Sequence, residues 1–164
     1  LIYSSLSWPH PIYIRLAKGG DEIITSEETK FEIGKSVLFK KPEENMILST
    51  GVMTQIALET INDLSTQGIK CGLLHMHTIK PLDTETLYNI IPYVKKVITI
   101  EEHYKINGFG TAILEFCNEN MPEHVSKINR IGFPEKFADE YGNQSTLLNA
   151  MGINKNLIIK LIKS

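Results

Sequence analysis

Two adjacent carboxylates and a histidine follow a β-branched run in the second half of the chain, and these residue types can carry out acid–base chemistry. Residues 97–110 read V-I-T-I-E-E-H-Y-K-I-N-G-F-G. Paired carboxylates separate their pKa values, and histidine titrates near neutrality. Adjacent residues that leave a strand point to opposite sides, however, so at most one of Glu101 and Glu102 shares a site with His103. We therefore expect helix capping and an inter-subunit hydrogen bond from this loop, and no catalytic residue in this chain alone.

The glycine pair Gly108 and Gly110 opens a predicted helix just after these residues. A dinucleotide-binding fingerprint would need a third Gly or Ala at the position of Ile113, and it would follow its strand directly. Here residues 101–107 intervene between the strand and the glycines. The spacing argues against a free-standing nucleotide-binding domain and indicates that the glycines let the helix start lie close to the sheet.

A third set of candidates, His75 and His77, places two imidazoles on one face of an extended segment, as a metal pair would. No third ligand stands at a suitable spacing from them. We therefore expect a core or interface pair at these positions and no metal site.

Two cations near the N-terminus, Arg15 and Lys18, stand beside the flexible turn Gly19-Gly20. Arginine binds phosphate through its bidentate fork, whereas lysine acts as a point charge. The pattern suits a phosphate site, although surface cations at the edge of a domain show it as well.

The composition is that of a globular protein, with 164 residues, 42% hydrophobic residues, 22% charged residues and a net charge of -2. Lys and Arg do not cluster, so we expect no nucleic-acid partner. There is no apolar run of membrane-spanning length and no signal-peptide pattern, so we expect no membrane association and a cytoplasmic location. Cys71 and Cys117 are isolated in apolar segments, which favours reduced, packed thiols. The first residue, Leu1, suggests a piece of a longer protein.

Strands and helices alternate along most of the chain. The sequence predicts strands at residues 12–15, 36–39, 46–50, 71–75, 97–100 and 125–131. Helices are predicted between them, one with Asp83 as N-cap, and two short helices close the chain, the second with Asn154 as N-cap. This alternation predicts a three-layer α/β/α fold with a mostly parallel sheet of about five strands. We expect residues 1–20 to be the tail of a preceding domain, 21–34 a linker and 35–164 the main domain.

Six segments in a fixed order resemble the C-terminal part of the transketolase family, which includes transketolases, deoxyxylulose-phosphate synthase and the beta subunits of 2-oxoacid dehydrogenases. The segments are P-I-Y-I-R at 11–15, I-L-S-T-G at 47–51, T-I-K-P-L-D at 78–83, V-I-T-I-E-E-H at 97–103, G-F-G at 108–110 and R-I-G-F-P at 130–134. Each segment alone is modest, but their order and spacing agree over nearly the whole chain.

The resemblance implies a parent enzyme that uses thiamine diphosphate and Mg²⁺ to move a two-carbon ketol unit between sugar phosphates. In this family the cofactor sites lie on the two preceding domains, and neither the diphosphate-binding motif nor the activating glutamate is found here. The resemblance therefore implies a domain for subunit assembly and dimerisation that binds no cofactor and is inactive alone. Its partners would be the N-terminal cofactor-binding part, on the same or a separate chain, and a second copy.

The resemblance also implies roles for individual residues. In deoxyxylulose-phosphate synthase an arginine-rich turn contacts the substrate phosphate; Arg15 matches this turn, and Lys18 replaces its second arginine. Asn107 stands where the family usually has glycine. Two alternatives stay open: part of a deoxyxylulose-phosphate synthase, or a docking module of a 2-oxoacid dehydrogenase complex that uses the face around His103 and the C-terminal helices.

Overall fold

The computed structural model describes residues 2–17 and 19–164, so Leu1 and Lys18 lie outside the described residues. The helices are α1 (Ile2–Leu6), α2 (Met53–Ser65), α3 (Thr84–Ile90), α4 (Phe109–Asn120), α5 (Gln144–Ala150) and α6 (Lys155–Lys163). The strands are β1 (Val37–Lys40), β2 (Asn45–Ser49), β3 (Cys71–His75), β4 (Lys96–Tyr104) and β5 (Ile128–Phe133). Two 3₁₀ turns, Ile91–Tyr93 and Pro122–Lys127, precede β4 and β5.

The five strands form one sheet in the order β1-β3-β2-β4-β5. The strands β3, β2, β4 and β5 run parallel, and β1 pairs antiparallel with β3 at one edge. Helical crossovers between parallel strands place helices on the faces of a sheet. The predicted α/β class and the mostly parallel five-stranded sheet are confirmed.

Two apolar clusters lie on opposite faces of the sheet, and alternation along each strand separates them. On β2, Met46 and Leu48 belong to one cluster, together with residues of α3 and α4. Ile47 belongs to the other cluster, which contains residues of α2, α5 and α6. Because successive side chains of a strand point to opposite faces, one run of buried residues serves both clusters. The three predicted layers are therefore confirmed.

Three predicted strand positions were wrong. Residues 12–15 form no strand, and all side chains from 11 to 17 are exposed; within the described residues, no strand pairs with this segment to supply the ladder hydrogen bonds. β5 begins at Ile128 rather than at 125, because Pro122–Lys127 is a 3₁₀ turn. β4 continues past Ile100 to Tyr104, where it pairs with Phe133. Glu101, Glu102 and His103 thus belong to a strand and not to a loop.

The segment predicted as a linker lies along the carboxyl edge of the sheet. Near its start, Glu22 accepts a hydrogen bond of 2.9 Å from Gln55 on α2. Further along, the ring of Phe31 packs edge-on against His77, with ring centroids 5.2 Å apart. At its end, the backbone N–H of Ser36 donates to Asp83 over 2.8 Å. These contacts hold the segment against the ends of the strands before the chain enters β1.

Asp83 joins this segment to α3 and confirms the predicted N-cap. One carboxylate oxygen accepts the Thr86 N–H over 3.2 Å, and the other accepts the Ser36 and Thr86 hydroxyls over 2.6 and 2.7 Å. Burial alone would raise the pKa of Asp83, but the hydrogen bonds from Ser36 and Thr86 outweigh burial and hold its pKa below the usual value.

Asp83→Ala should lower the free energy of unfolding by about 2–4 kcal/mol, because it removes the N-cap and leaves the Ser36 N–H without its acceptor. Asp83→Asn, which keeps one acceptor oxygen, should cost less. A folded-state pKa below the unfolded value means that the stabilisation is complete above the unfolded pKa and is lost as pH falls through the folded pKa. Urea unfolding at several pH values checks both statements. Equal stability of the wild type and Asp83→Ala at neutral pH would contradict the assigned role.

Cys71 and Cys117 are free, buried thiols, as predicted. Burial raises the pKa of Cys71 to about 12 and that of Cys117 to about 11, so both are protonated at neutral pH. In the part of the chain that the structure describes, no helix combines the length and the apolar character that crossing a bilayer requires.

Candidate functional site

The order of the strands defines a switch point at the carboxyl edge of the sheet. The chain leaves β2 for β3 on one side and later returns to β4 on the other side. Ligands of open α/β sheets bind outside the carboxyl ends of the strands at such a point. Ser49 is level with Ile100, so β4 extends beyond β2 at this edge and carries Glu101, Glu102 and His103 there.

Glu101 caps α4 from within the neighbouring strand. Its side chain is 1% exposed, and its two oxygens accept the backbone N–H groups of Phe109 and Gly110 over 2.6 and 2.8 Å. Burial raises the pKa of Glu101, while these two N–H donors and the nearby His103 lower it, and the net direction is upward. The carboxylate thus satisfies two N–H groups at the positive end of the helix. This is the helix capping that the sequence indicated.

The glycine pair allows this close approach. A Cβ at Gly108 would collide with the Glu101 carboxylate and the Tyr104 carbonyl, and one at Gly110 would lie 2.5 Å from the Thr99 hydroxyl. Asn107 has a φ of 56°, a left-handed conformation that asparagine tolerates better than most residues do. Asn107, at the position where the resemblance implies glycine, therefore still fits the tight loop.

Glu102 and His103 make different contacts from those of Glu101. His103 Nδ1 lies 4.0 Å from a Glu101 oxygen and 2.9 Å from the Tyr104 carbonyl, and its side chain is 51% exposed. Glu102 binds Arg15: one guanidinium nitrogen donates to the Glu102 carbonyl over 2.9 Å, and another lies 3.4 Å from its carboxylate. The sheet thus separates the two carboxylates, and only Glu101 is near His103, as the alternation of the strand requires.

A polar network that the sequence did not indicate lies at the ends of β2 and β3. The Thr54 hydroxyl is 2.9 Å from the Ser49 hydroxyl and 2.7 Å from His75 Nδ1. Burial, with a further contribution from His77, lowers the pKa of His75 to about 4. His75 is therefore neutral at pH 7 and acts as a hydrogen-bonding group. In the sequence, the only indication of this network was the spacing of the two hydroxyl residues in Ser49-x₄-Thr54. That spacing is too common to predict a hydrogen bond.

His77 does not join the network directly. Its ring centroid is 5.9 Å from that of His75, and its Nδ1 lies 2.9 Å from the Thr78 hydroxyl. Its Nε2 is buried without a hydrogen-bond partner among the described residues. Burial lowers the pKa of His77 as well. Over residues 2–17 and 19–164, no group of three or more His, Cys, Asp or Glu side chains is arranged to hold a metal ion.

At the carboxyl edge of the sheet, Glu102 holds the exposed cation Arg15 against β4. Arg15 is 59% exposed at its side chain and is tied to β4, while Lys18 lies outside the described residues. Such an arrangement can bind an anion such as a phosphate group at the switch point.

Comparison with known proteins places this fold in a family. The family described as transketolase, C-terminal domain, matches residues 34–158. The chain belongs to this family. The recognition made from the six segments is thereby confirmed.

Three similar proteins illustrate the range of the family. The 1-deoxy-D-xylulose-5-phosphate synthase of Halothermothrix orenii is 37% identical over 98% of this chain and 25% of its own length. A transketolase family protein of Sinorhizobium fredii is 34% identical over 93% of this chain and 44% of its own length. A solved structure described as a split gene transketolase, inactive β4 tetramer, matches 99% of this chain and 52% of that chain with a TM-score of 0.89 and 27% identity.

This transketolase C-terminal domain spans a quarter to less than half of the curated relatives just named. The proteins that contain such a domain are thus considerably longer than the domain itself. The activity, substrates and partners of the whole enzyme are therefore matters for proposal.

Proposed function

We propose that this chain is the C-terminal domain of a thiamine diphosphate-dependent transketolase-type enzyme, which transfers a two-carbon ketol unit to a phosphorylated aldehyde. The observation that carries the proposal is Arg15, which is anchored to β4 at the switch-point edge and has a side chain that is 59% exposed. Membership in the family supports it, and so does the name of the relative in Halothermothrix orenii, whose product carries a phosphate. That name favours a deoxyxylulose-phosphate synthase as the particular form of the enzyme.

Thiamine diphosphate and Mg²⁺ would be held by another part of the enzyme. Among the described residues, no three or more His, Cys, Asp or Glu side chains are grouped to hold a metal ion, which is compatible with a cofactor site on another part of the enzyme. The buried carboxylate of Glu101 is already committed to the N–H groups of α4. We infer that this chain contributes no step through the cofactor and is catalytically incomplete alone, and that its own part in the reaction is to bind the phosphate of the substrate.

The N-terminal arm, residues 2–17, supports a role in assembly. Its large apolar side chains are exposed, and they comprise Ile2, Tyr3, Leu6, Ile12, Tyr13, Ile14 and Leu16. Exposed large apolar side chains concentrated on one segment support an interface there. We infer that the arm is the tail of the preceding domain, that it packs against the cofactor-binding part on the same or a separate chain, and that the complete enzyme is a homodimer in the cytoplasm, where both buried thiols stay reduced.

Arg15→Ala in the complete enzyme, which is this domain together with its cofactor-binding part, should raise the KM for a phosphorylated acceptor about ten- to hundredfold. The reason is that one charged, bidentate contact to the phosphate is lost. Steady-state kinetics with D-glyceraldehyde 3-phosphate and D-glyceraldehyde measures the effect, since only the first acceptor carries the phosphate. Calorimetric titration with thiamine diphosphate should show an unchanged affinity.

Lys95→Ala is the matched control, because Lys95 is also an exposed cation in an ion pair, 2.8 Å from Glu44. It lies at the opposite, amino edge of the sheet and should leave both KM values unchanged. Equal KM values for the wild type and Arg15→Ala would remove Arg15 from the substrate site. That outcome would favour the docking-module alternative, for which the exposed face of His103, Tyr104 and Ile106 is available.

A further inference from the structure

Glu102 contacts two segments that are far apart in the sequence, the N-terminal arm and the start of α5. Its carbonyl and carboxylate face Arg15 over 2.9 and 3.4 Å, as described above. Its other carboxylate oxygen accepts a hydrogen bond of 2.5 Å from the side-chain amide of Gln144, the first residue of α5. The side chain of Glu102 is only 23% exposed. We propose that Glu102, held by Gln144, is a positioning residue that orients Arg15 towards the phosphate of the substrate.

Arg15 has N–H donors that its contacts with Glu102 do not use. A guanidinium has five N–H donors in a planar fork, and the contacts to Glu102 use one donor on each terminal nitrogen. The side chain of Arg15 is nonetheless 59% exposed. The group is therefore held by β4 while much of the side chain stays exposed, so its remaining donors are available to an anion.

Anchoring matters because of where Arg15 lies in the chain. The arm has no regular structure at residues 11–17, and its side chains are exposed. A long arginine side chain on such a segment has many rotamers. Without an anchor, phosphate binding would have to select one of them, and this loss of conformational entropy would lower the affinity. The contacts with β4, which is an interior strand of the sheet, restrict the Arg15 side chain to one orientation before the substrate binds.

The negative charge of Glu102 repels an anion, whereas its contacts with Arg15 orient the guanidinium for binding one. Glu102 can therefore either weaken or strengthen phosphate binding, and the larger of the two effects decides which. Pairing with the guanidinium neutralises the carboxylate, and the Gln144 amide holds its second oxygen on the side of α5. The backbone carbonyl accepts one guanidinium nitrogen and the carboxylate faces the other, so the proposal assigns the orientation of the guanidinium to the two contacts together. The proposal thus requires that orientation outweighs repulsion, which a kinetic measurement decides.

This inference rests on the proposed function, in which Arg15 binds the phosphate. In the complete enzyme, Glu102→Ala should raise the KM for D-glyceraldehyde 3-phosphate about tenfold, since Arg15 loses its carboxylate contact and keeps only its bond to the backbone carbonyl of residue 102. The kcat and the KM for D-glyceraldehyde should not change. Glu102→Gln keeps an acceptor oxygen for the guanidinium and should restore most of the affinity. Glu44→Ala, which breaks the exposed pair with Lys95 at the far edge, is the matched control.

The same measurements in the Arg15→Ala background separate the two proposals. If Glu102 acts through Arg15, Glu102→Ala should add nothing there, as expected for two residues that act as a unit. A raised KM in Arg15→Ala with an unchanged or lowered KM in Glu102→Ala would overturn only the role of Glu102. An equal rise for both acceptors, or a rise that persists in the Arg15→Ala background, would also overturn it, since a structural defect would produce either result. An unchanged KM in Arg15→Ala would remove both proposals together.

Discussion

Glu101→Ala is expected to lower the free energy of unfolding of the chain by about 3–5 kcal/mol. The substitution removes the only acceptor that the structure shows for two N–H groups, those of Phe109 and Gly110, at the start of α4. Residues 109 and 110 are buried, so water does not replace the carboxylate without a rearrangement. Each buried donor left without a partner costs about 1–3 kcal/mol. Urea unfolding followed by circular dichroism measures the loss.

Two variants show whether the loss comes from the cap. Glu101→Gln keeps one acceptor oxygen and should recover about half of the stability. Glu85→Ala is the matched control, because Glu85 forms an exposed ion pair with Lys35 over 2.8 Å and such pairs contribute about 0–1 kcal/mol. A loss below about 1 kcal/mol for Glu101→Ala would show that the capping bonds are dispensable.

The pKa of Glu101 gives this residue a pH dependence opposite in sign to that of Asp83. Burial raises the pKa of Glu101 above the unfolded value, so ionisation disfavours the folded state between the two values. The contribution of Glu101 to stability therefore falls as pH rises from the unfolded pKa to the folded pKa. This slope should be absent from Glu101→Gln, whereas the slope that arises from Asp83 should remain.

Gly108→Ala is expected to cost about 2–4 kcal/mol of stability, because overpacking a closely fitted position forces backbone shifts and here also displaces the cap. The new Cβ would collide with the Glu101 carboxylate and the Tyr104 carbonyl oxygen, and would stand 2.7 Å from the Glu101 Cδ. The backbone oxygen has no freedom to rotate away, so the start of α4 must move away from β4. Thermal or urea unfolding of the variant measures the cost.

A double-mutant cycle tests the cause of this cost. In the Glu101→Ala background the carboxylate is absent, so Gly108→Ala should cost distinctly less than it does alone. Gly68→Ala serves as the comparison: Gly68 has a φ of +74° but no atom within 4 Å of the new Cβ, so only backbone strain of about 1 kcal/mol is expected. Fully additive losses would show that Gly108 and the Glu101 carboxylate do not depend on one another.

Much of the fold could be predicted because its signals are local. Asp83 and Asn154 were assigned as N-caps from the helical patterns that follow them, and both side chains accept an N–H three residues on. The buried run of β3 from Cys71 to His75 has the predicted bounds. The glycine pair failed the dinucleotide spacing and indicated close packing, which the structure shows. Such features depend on residues a few positions apart, and a sequence displays them directly.

The errors arose where a distant partner decides the local structure. Residues 12–15 have the composition of a strand but have no pairing partner among the described residues. β4 extends to Tyr104 because β5 pairs with it there, although the charged residues 101–103 suggested a loop. Three predictions remain untested. They are the domain boundaries at residues 20 and 34, the roles of Arg15 and Lys18 in phosphate binding, and the inter-subunit contact of His103.

The sequence by itself determined the fold class, the family and the segment that carries the candidate site, since periodicity, caps and motif order are properties of short stretches. Only the tertiary structure decided the different contacts of the Glu101 and Glu102 carboxylates. Glu101 and Glu102 are neighbours, yet one enters the buried start of α4 and the other faces Arg15, which lies 87 positions away in the sequence. Gln144 joins Glu102 from 42 positions in the other direction. Such contacts depend on how the sheet folds distant segments onto one edge, and no local pattern encodes them.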